Sequence, residues 1–179
     1  MPASVVPYEI AGLTHIGQRP RNEDRVVVDL ACGDGRHVAP LAAAGRRIVG
    51  VDFVEVAVRT AARRGAAAGV VADMAALPFA AGTLDAIVVV NFLDRALFPA
   101  LVGLLRPGGA LVYETYERGH LALVASGRAR APRNPAYVLE PGELPRLVRP
   151  LAVVARREGL VNDDAGERCV SSVVAVRPR

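Results

Sequence analysis

The chain has 179 residues, is 52% hydrophobic, and carries a formal net charge of +4 in which all 22 basic residues are arginine. This length and apolar content fit one domain with a buried core and exclude disorder as its main state. No apolar run reaches the ~18 residues that a membrane-spanning helix needs, and no basic segment precedes an apolar leader. Two cysteines, Cys32 and Cys169, are too few for a disulfide scaffold or a zinc site. We therefore expect a cytoplasmic protein with no membrane contact and no metal.

From residue 25 onward the sequence alternates between strand-like and helix-like segments, whereas residues 1–24 form an irregular N-terminal segment broken by Pro and Gly. The strand-like runs are apolar and rich in β-branched residues: 26–30, 48–51, 69–72, 84–90 and 110–114. The segments with helical periodicity are 36–44, 54–64 and 95–105. Because parallel neighbours need crossover connections, this alternation predicts a doubly wound parallel α/β sheet.

The alternation stops after Glu114. Residues 117–139 have little periodicity and are predicted to form a long loop or lid, followed by a short helix over 141–148. Residues 151–157 and 169–176 then read as two strands around the polar stretch 162–167. Two successive strands without a helix between them predict an antiparallel hairpin at the edge of the sheet. We therefore place a single domain at residues 25–179.

Acidic residues and glycines are predicted to meet at the carboxyl edge of this sheet, where open α/β folds bind ligands. Asp29, Asp52 and Asp73 lie at the ends of the first three predicted strands, and Gly33 and Gly35 lie in the turn after the first. Glycine lets the backbone adopt positive φ and approach a ligand closely. Asp52 follows this turn at close to the ~20-residue spacing of a carboxylate that binds ribose hydroxyls. The pattern indicates a nucleoside-binding site.

The ordered set of motifs resembles the class I methyltransferases that use S-adenosylmethionine (SAM). Residues 26–37 resemble the first motif of that family, residues 50–53 the second and residues 71–74 the third. Residues 85–94 are similar to its fourth strand, and residues 105–111 to the turn before its fifth. The resemblance covers residues 25–178, with small bacterial members of the tellurite-resistance and quinone-biosynthesis kind the most similar. It implies a mostly parallel, seven-stranded Rossmann-like sheet with an antiparallel edge hairpin.

The resemblance also implies SAM as the cofactor and a set of residues around its methionine part. Gly33 and Gly35 would pass under the methionine, and the carbonyl of Ala31 or Cys32 would lie near its amino group. Asp29 belongs to the same motif, either as a binding residue or as the residue that fixes the turn.

The adenosine half of SAM would contact the second, third and fourth motifs. Asp52 would hold the ribose hydroxyls, and Phe53 would pack on the adenine face. Asp73 would accept from the adenine amino group, with the Met74 amide nearby. Asn91 and Phe92 would lie beside the sulfonium.

Two other functional classes stay open. A dinucleotide-binding enzyme would carry a third glycine where this chain has Val38, which disfavours a different nucleotide-binding Rossmann enzyme. A SAM-binding regulatory domain without turnover remains, because no catalytic motif is recognisable. The candidates for a base are Asn91, Asp94, Glu114, Tyr116 and His120.

The acceptor side is less defined. Asn91 is not followed by the Pro-Pro-Tyr or Pro-Pro-Phe of family members that methylate nucleic-acid bases, so we expect a small-molecule acceptor rather than a nucleic acid. We predict that residues 116–139 cap the acceptor pocket, with Tyr116, Arg133 and Tyr137 facing the substrate. The short segment ahead of the first strand leaves the pocket open or completed by a partner, which allows a homodimer.

Overall fold

A computed structural model describes residues 25–163 and 166–179, and the predicted irregular segment 1–24 lies outside the described residues. The described residues contain one seven-stranded sheet with the strand order β3-β2-β1-β4-β5-β7-β6. The strands are β1 (Val26–Leu30), β2 (Arg47–Asp52), β3 (Ala68–Val71), β4 (Leu84–Val90), β5 (Leu105–Tyr116), β6 (Ala152–Asp163) and β7 (Gly166–Val176).

Five short α-helices accompany these strands in the described part of the chain. They are α1 (Val38–Ala43), α2 (Glu55–Arg63), α3 (Phe98–Leu104), α4 (His120–Ala125) and α5 (Leu144–Leu147). Single 3-10 turns cover Met74–Ala76, Arg95–Leu97 and Pro135–Tyr137. Within the described ranges, no helix is long and apolar enough to cross a membrane.

Strand direction confirms the predicted sheet. β1 pairs in parallel with both β2 and β4, β3 extends the sheet from β2, and β5 pairs in parallel with β4. β7 runs antiparallel between β5 and β6, so the last two strands form the predicted edge hairpin. The carboxyl ends of the five parallel strands therefore meet at one edge, with the topological switch point between β1 and β4.

Both faces of the sheet are apolar, as expected of strands buried between layers of helices. One face packs against α3 and α5 in a cluster that includes Phe98 and Tyr113, whose ring centroids lie 4.8 Å apart. The other face packs Val38 and Leu41 of α1 and Ala61 of α2 against β1, β2 and β4. The two layers hold the strand ends in fixed relative positions.

Helix α2 lies unusually close to the sheet because three glycines face it. A Cβ on Gly35 would come 2.6 Å from the Cα of Ala61, and one on Gly50 would come 3.2 Å from the Ala61 Cβ. A Cβ on Gly69 would lie 2.4 Å from a methyl of Val58. Of these three positions, only at Gly35 is the nearest atom part of the main chain, which cannot move aside as a side chain can.

The structure differs from the predicted boundaries mainly after β4. The predicted helix over 95–105 is divided into a 3-10 turn and α3, and β5 already begins at Leu105. The predicted loop over 117–139 contains α4. The hairpin strands extend through most of the polar stretch 162–167, where Asn162 still pairs with Glu167.

We predict that replacing Gly35 by Ala destabilises the fold far more than replacing Gly45. Both glycines have a φ of +72°, but a Cβ at Gly45 meets nothing within 4 Å. The left-handed backbone alone costs an alanine about 1–2 kcal/mol. Gly35→Ala adds an overpacking penalty of about 1–3 kcal/mol because helix α2 must move. Urea denaturation of both variants measures the difference, and equal losses would mean that the contact with Ala61 is unimportant.

Candidate functional site

Asp52 ends β2 with a carboxylate that two main-chain amides hold in place. Its Oδ2 accepts from the N–H of Gly33 at 2.9 Å, and its Oδ1 accepts from the N–H of Val54, also at 2.9 Å. Each carboxylate oxygen has a second lone pair, so both can still accept a hydroxyl hydrogen. The bond to Gly33 joins the turn after β1 to the end of β2.

The turn after β1 is built from left-handed residues. Ala31, Gly33 and Gly35 have φ values of 53°, 52° and 72°. The N–H of Cys32 donates to the carbonyl of Val51 at 3.0 Å, and the Cys32 carbonyl accepts from the N–H of Gly35 at 2.8 Å. Burial raises the pKa of the Cys32 thiol to about 12, which keeps it protonated and unreactive. Its role in the turn is therefore structural.

Asp29 is buried at the carboxyl end of β1, directly beneath this turn. Its pKa is raised to about 7, mainly by burial. Arg36 lowers this pKa, and the nearby Asp52 and Asp34 raise it. Its Oδ2 has no hydrogen-bond partner within the described part of the chain. A buried carboxylate oxygen without a partner is costly, and such groups concentrate at binding sites.

The residues expected around adenine lie at the ends of β2 and β3. Phe53 is 71% exposed, so its ring is open to a flat ligand. Asp73 caps the 3-10 turn after β3 through a 2.9 Å bond from the N–H of Ala75 to its Oδ1. Met74 follows and is buried. The Asp73 cap fixes the backbone where a purine edge would be recognised.

Asn91 and Phe92 follow β4 on the same edge. Asn91 has a φ of 58°, and its N–H donates to the carbonyl of Glu114 at 2.9 Å. Its side-chain Oδ1 is buried without a hydrogen-bond partner among the described residues. The hydroxyl of Tyr113 donates to the Phe92 carbonyl at 2.8 Å and fixes this turn from below. Asn91 thus combines strain and an unused acceptor, both of which are typical of functional positions.

Two of the predicted candidates for a base are committed to structural contacts. The Nε2 of His120 lies 2.8 Å from the Ala131 carbonyl, and its Nδ1 accepts from the Cys169 N–H at 3.3 Å. Burial lowers the pKa of His120, so the ring is neutral with both nitrogens in use. The buried Glu114 accepts from Arg157 at 2.9 Å and from Arg168 at 3.3 Å. Neither side chain is available as a general base.

The remaining candidates are also placed by local contacts. Asp94 caps the 3-10 turn after β4 through the N–H of Ala96 at 2.9 Å. Tyr116 stacks on His120, with ring centroids 4.3 Å apart. Of the residues predicted to face an acceptor, Arg133 and Tyr137 are exposed.

Arg95 connects this edge to the segment that follows α4. Its guanidinium binds both carboxylate oxygens of Glu143, at 2.6 and 3.0 Å, and donates to the carbonyls of Ala136 and Val138, each at 3.0 Å. The carboxylate of Glu143 also accepts from the Glu140 N–H at 2.8 Å. Bidentate Arg–carboxylate pairs fix geometry as well as charge. Residues 136–143 are thereby held against the 3-10 turn that Arg95 begins.

The roles of Arg95, of Gly50 and Gly69, and of the Glu114 ion pairs were not predicted from the sequence. Gly50 and Gly69 offered a detectable signal, since glycines inside strands indicate close backbone approach. Arg95 and Glu143 are 48 residues apart and offered none.

The sequence comparisons agree on one family. Residues 27–109 match the sequence profile of a methyltransferase domain. The chain is 40% identical over 109 residues to a demethylmenaquinone methyltransferase of Beutenbergia cavernae, covering 57% of this chain and 44% of that protein. It is 31% identical over 103 residues to a ubiquinone biosynthesis O-methyltransferase of Bordetella pertussis, covering 51% and 43%. The chain thus spans less than half the length of these curated relatives.

Solved structures share the fold. A SAM-dependent methyltransferase from Methanosarcina mazei superposes with a TM-score of 0.73 at 20% identity, covering 93% of this chain and 96% of that one. A geranyl diphosphate C-methyltransferase from Streptomyces coelicolor, solved with S-adenosylhomocysteine, gives 0.66 at 18% identity, covering 92% and 74%. Residues 27–109 therefore match the sequence profile of a methyltransferase domain, and residues 25–163 and 166–179 have the fold of these SAM-dependent methyltransferases.

Proposed function

We propose that the chain binds SAM at the carboxyl ends of β1 to β4 and transfers its methyl group to a small molecule. The observation that carries the proposal is the Asp52 carboxylate, which Gly33 and Val54 hold with oxygens still able to accept a diol. Two buried oxygens without partners among the described residues, Asp29 Oδ2 and Asn91 Oδ1, supply further acceptors on the same edge. These groups suit a ligand with a ribose and a cationic amino acid part.

The residue roles follow from the order of the strands. Asp52 holds the ribose hydroxyls, and Phe53 offers its exposed ring to the adenine. Asp73 and the Met74 amide read the adenine edge, with the Asp73 cap fixing their backbone. Asn91 and Phe92 lie on the side of the reacting methyl.

The turn after β1 receives the methionine part. Gly33 and Gly35 leave the backbone beneath the ligand free of side chains. A side chain at either position would be strained, and one at Gly35 would also meet helix α2. The Cys32 carbonyl already accepts from Gly35, which favours the carbonyl of Ala31 as the acceptor for the amino group. Ionised Asp29 adds a negative charge below it.

Methyl transfer needs positioning more than acid–base chemistry. SAM supplies a methyl group already activated by its sulfonium, so the protein must align the acceptor and exclude water. The structural roles of His120 and Glu114 favour an acceptor that loses its proton without either of them. The Arg95–Glu143 pair positions the segment that would close the site over the acceptor.

The small-molecule acceptor is supported by the curated relatives, whose names place them in quinone biosynthesis. A cytoplasmic location is also part of the proposal, and it fits the two buried free thiols of Cys32 and Cys169. A SAM-binding domain without turnover is distinguished by an acceptor assay with quinols and other phenols.

We predict that Asp52→Asn lowers the affinity for SAM and S-adenosylhomocysteine by about tenfold or more, because charge-assisted hydrogen bonds to the ribose are lost. Titration calorimetry of the whole chain measures it. Asp34→Asn, in the exposed part of the same turn, is the matched control and should bind like the wild type. Failure of the wild type to bind either ligand contradicts the proposed cofactor, and tighter binding of NADH would indicate a dinucleotide site.

We predict that SAM binding tightens as the pH rises from 6 to 7, by about fivefold, because ionised Asp29 attracts the ligand's ammonium group. The range stays below the usual pKa of an α-amino group, so the ligand keeps its charge. Asp29→Asn should remove this dependence. A variant that keeps the wild-type slope would exclude Asp29 from the site.

The pKa of Asp29 can also be tested without a ligand, through the pH dependence of the free energy of unfolding. The pKa of Asp29 in the folded state lies above its unfolded value of 3.8. The stability that protonated Asp29 provides is therefore complete below that value and is lost as the pH rises through about 7. Asp29→Asn should flatten this decline in the free energy of unfolding.

We predict that Arg95→Lys loosens residues 136–143 without changing SAM affinity. Lysine keeps the charge, but its three donors cannot replace the four hydrogen bonds of the Arg95 guanidinium, two of which form the bidentate pair with Glu143. Hydrogen exchange of amides in this segment should accelerate by about tenfold or more. Arg59→Lys, in the exposed pair with Glu55 on α2, is the control. Unchanged exchange in the Arg95 variant would show that the segment is held by other contacts.

A further inference from the structure

The outer edge of β6 is a long unpaired edge of the sheet. β6 contains Ala152–Asp163 and pairs with β7 on its inner side. Within residues 25–163 and 166–179, no strand pairs with its outer side. The strand has no proline, so none of its residues lacks a main-chain N–H donor. Edges of this kind are normally shortened, covered or blocked by charge, because they pair readily with other strands.

The side chains along this edge are both apolar and charged. Val154 and Leu160 are each 63% exposed, although both are large aliphatic residues. Between them lie Arg156 and Glu158, both exposed. One carboxylate oxygen of Glu158 accepts from the N–H of Gly142, which leaves the other oxygen open to a second donor.

The order of these residues is complementary to itself. When two identical strands pair antiparallel in one continuous sheet, facing residues point to the same side, so the two-fold axis passes through a residue. With the axis at Arg157, Arg156 of each copy faces Glu158 of the other. The same register brings Val154 against Leu160.

Neighbouring registers lose this match. An axis at Arg156 sets Val154 opposite Glu158, and an axis at Glu158 sets Arg156 opposite Leu160. Opposite charges facing each other across strands stabilise a pair, whereas a charge facing an apolar residue does not. The charge pattern therefore selects one register of self-pairing.

Arg157 lies on the axis and would face its own copy. Its side chain points to the opposite side of the sheet from Arg156 and Glu158, because successive residues alternate. There its guanidinium binds the buried Glu114 at 2.9 Å. At the axis, each Arg157 therefore pairs with Glu114 of its own subunit, and this pair compensates its positive charge.

We infer that two copies of this chain associate through antiparallel pairing of their β6 edges about Arg157. The part of β6 around the axis, from Ala155 to Gly159, forms the ladder; the register shift between Val153 and Ala155 marks one end, and the positive φ of Gly159 (113°) marks the other. Val154 and Leu160 close its ends. This inference is independent of the proposed cofactor and acceptor.

The test uses charge reversal in the whole chain. Arg156→Glu and Glu158→Arg each create two like-charge contacts across the axis, so sedimentation velocity should show the wild type as a dimer and each variant as a monomer. Arg63→Glu and Glu55→Arg on α2 make the same changes in net charge far from β6 and should leave the dimer intact.

Mixing provides a control for misfolding. In an equimolar mixture of the two monomeric variants, the two glutamates of one variant face the two arginines of the other across the axis. A heterodimer should therefore form with an affinity within about threefold of the wild type. A wild type that is monomeric at ~100 μM, within the Kd range of weak specific association, contradicts the inference. So does a mixture that stays monomeric, or a dimer that survives either single reversal.

Discussion

The direct contact between helix α2 and the turn after β1 is the constraint on which the proposed ligand-binding edge of the sheet depends. Because Gly35 has no side chain, Ala61 can approach its main chain, and Gly50 lets the same alanine lie flat on β2. This close packing sets the turn after β1 beside the end of β2, where the Gly33 amide donates to the Asp52 carboxylate. The proposed ribose site thus depends on the packing of helix α2 as well as on Asp52.

The two sides of the proposed site are built by different means. The proposed cofactor side relies on main-chain amides, glycines and strand ends, which hold Asp52 and Asp73 without help from long side chains. The segment that we propose to face the acceptor is held by arginine–glutamate pairs such as Arg95–Glu143 and Arg118–Glu140. Main-chain geometry tolerates changes in most side chains, whereas an ion pair depends on two particular residues. We therefore expect the proposed acceptor side to differ more among relatives than the proposed cofactor side.

The sequence predicted best the parts that depend on local burial. The bounds of β1 and β4 agree with the prediction to the residue, because both strands are apolar runs buried on two faces. The length of β6 was underestimated because its exposed charges mask the alternation of an edge strand. Of the proposed cofactor residues, the aspartates and the turn glycines were predicted from their position at strand ends, and the others from the family resemblance. The pairing of Arg95 with Glu143 and the burial of His120 arise from contacts between distant segments, which no local pattern reveals.

The position of β7 between β5 and β6 has a consequence for how the chain folds. β1 to β3 can assemble from neighbouring βαβ units, and β4 can pair with β5 in the same way. Two other pairings join distant segments: Val27 of β1 pairs with Ala86 of β4, and Ala110 of β5 pairs with Val176 of β7. Contacts so far apart in the chain form slowly, because the entropy of closing the loop is lost before the pairing compensates for it. Folding should therefore begin with the two local groups of strands, and β5 should briefly present an open apolar edge until β7 pairs with it.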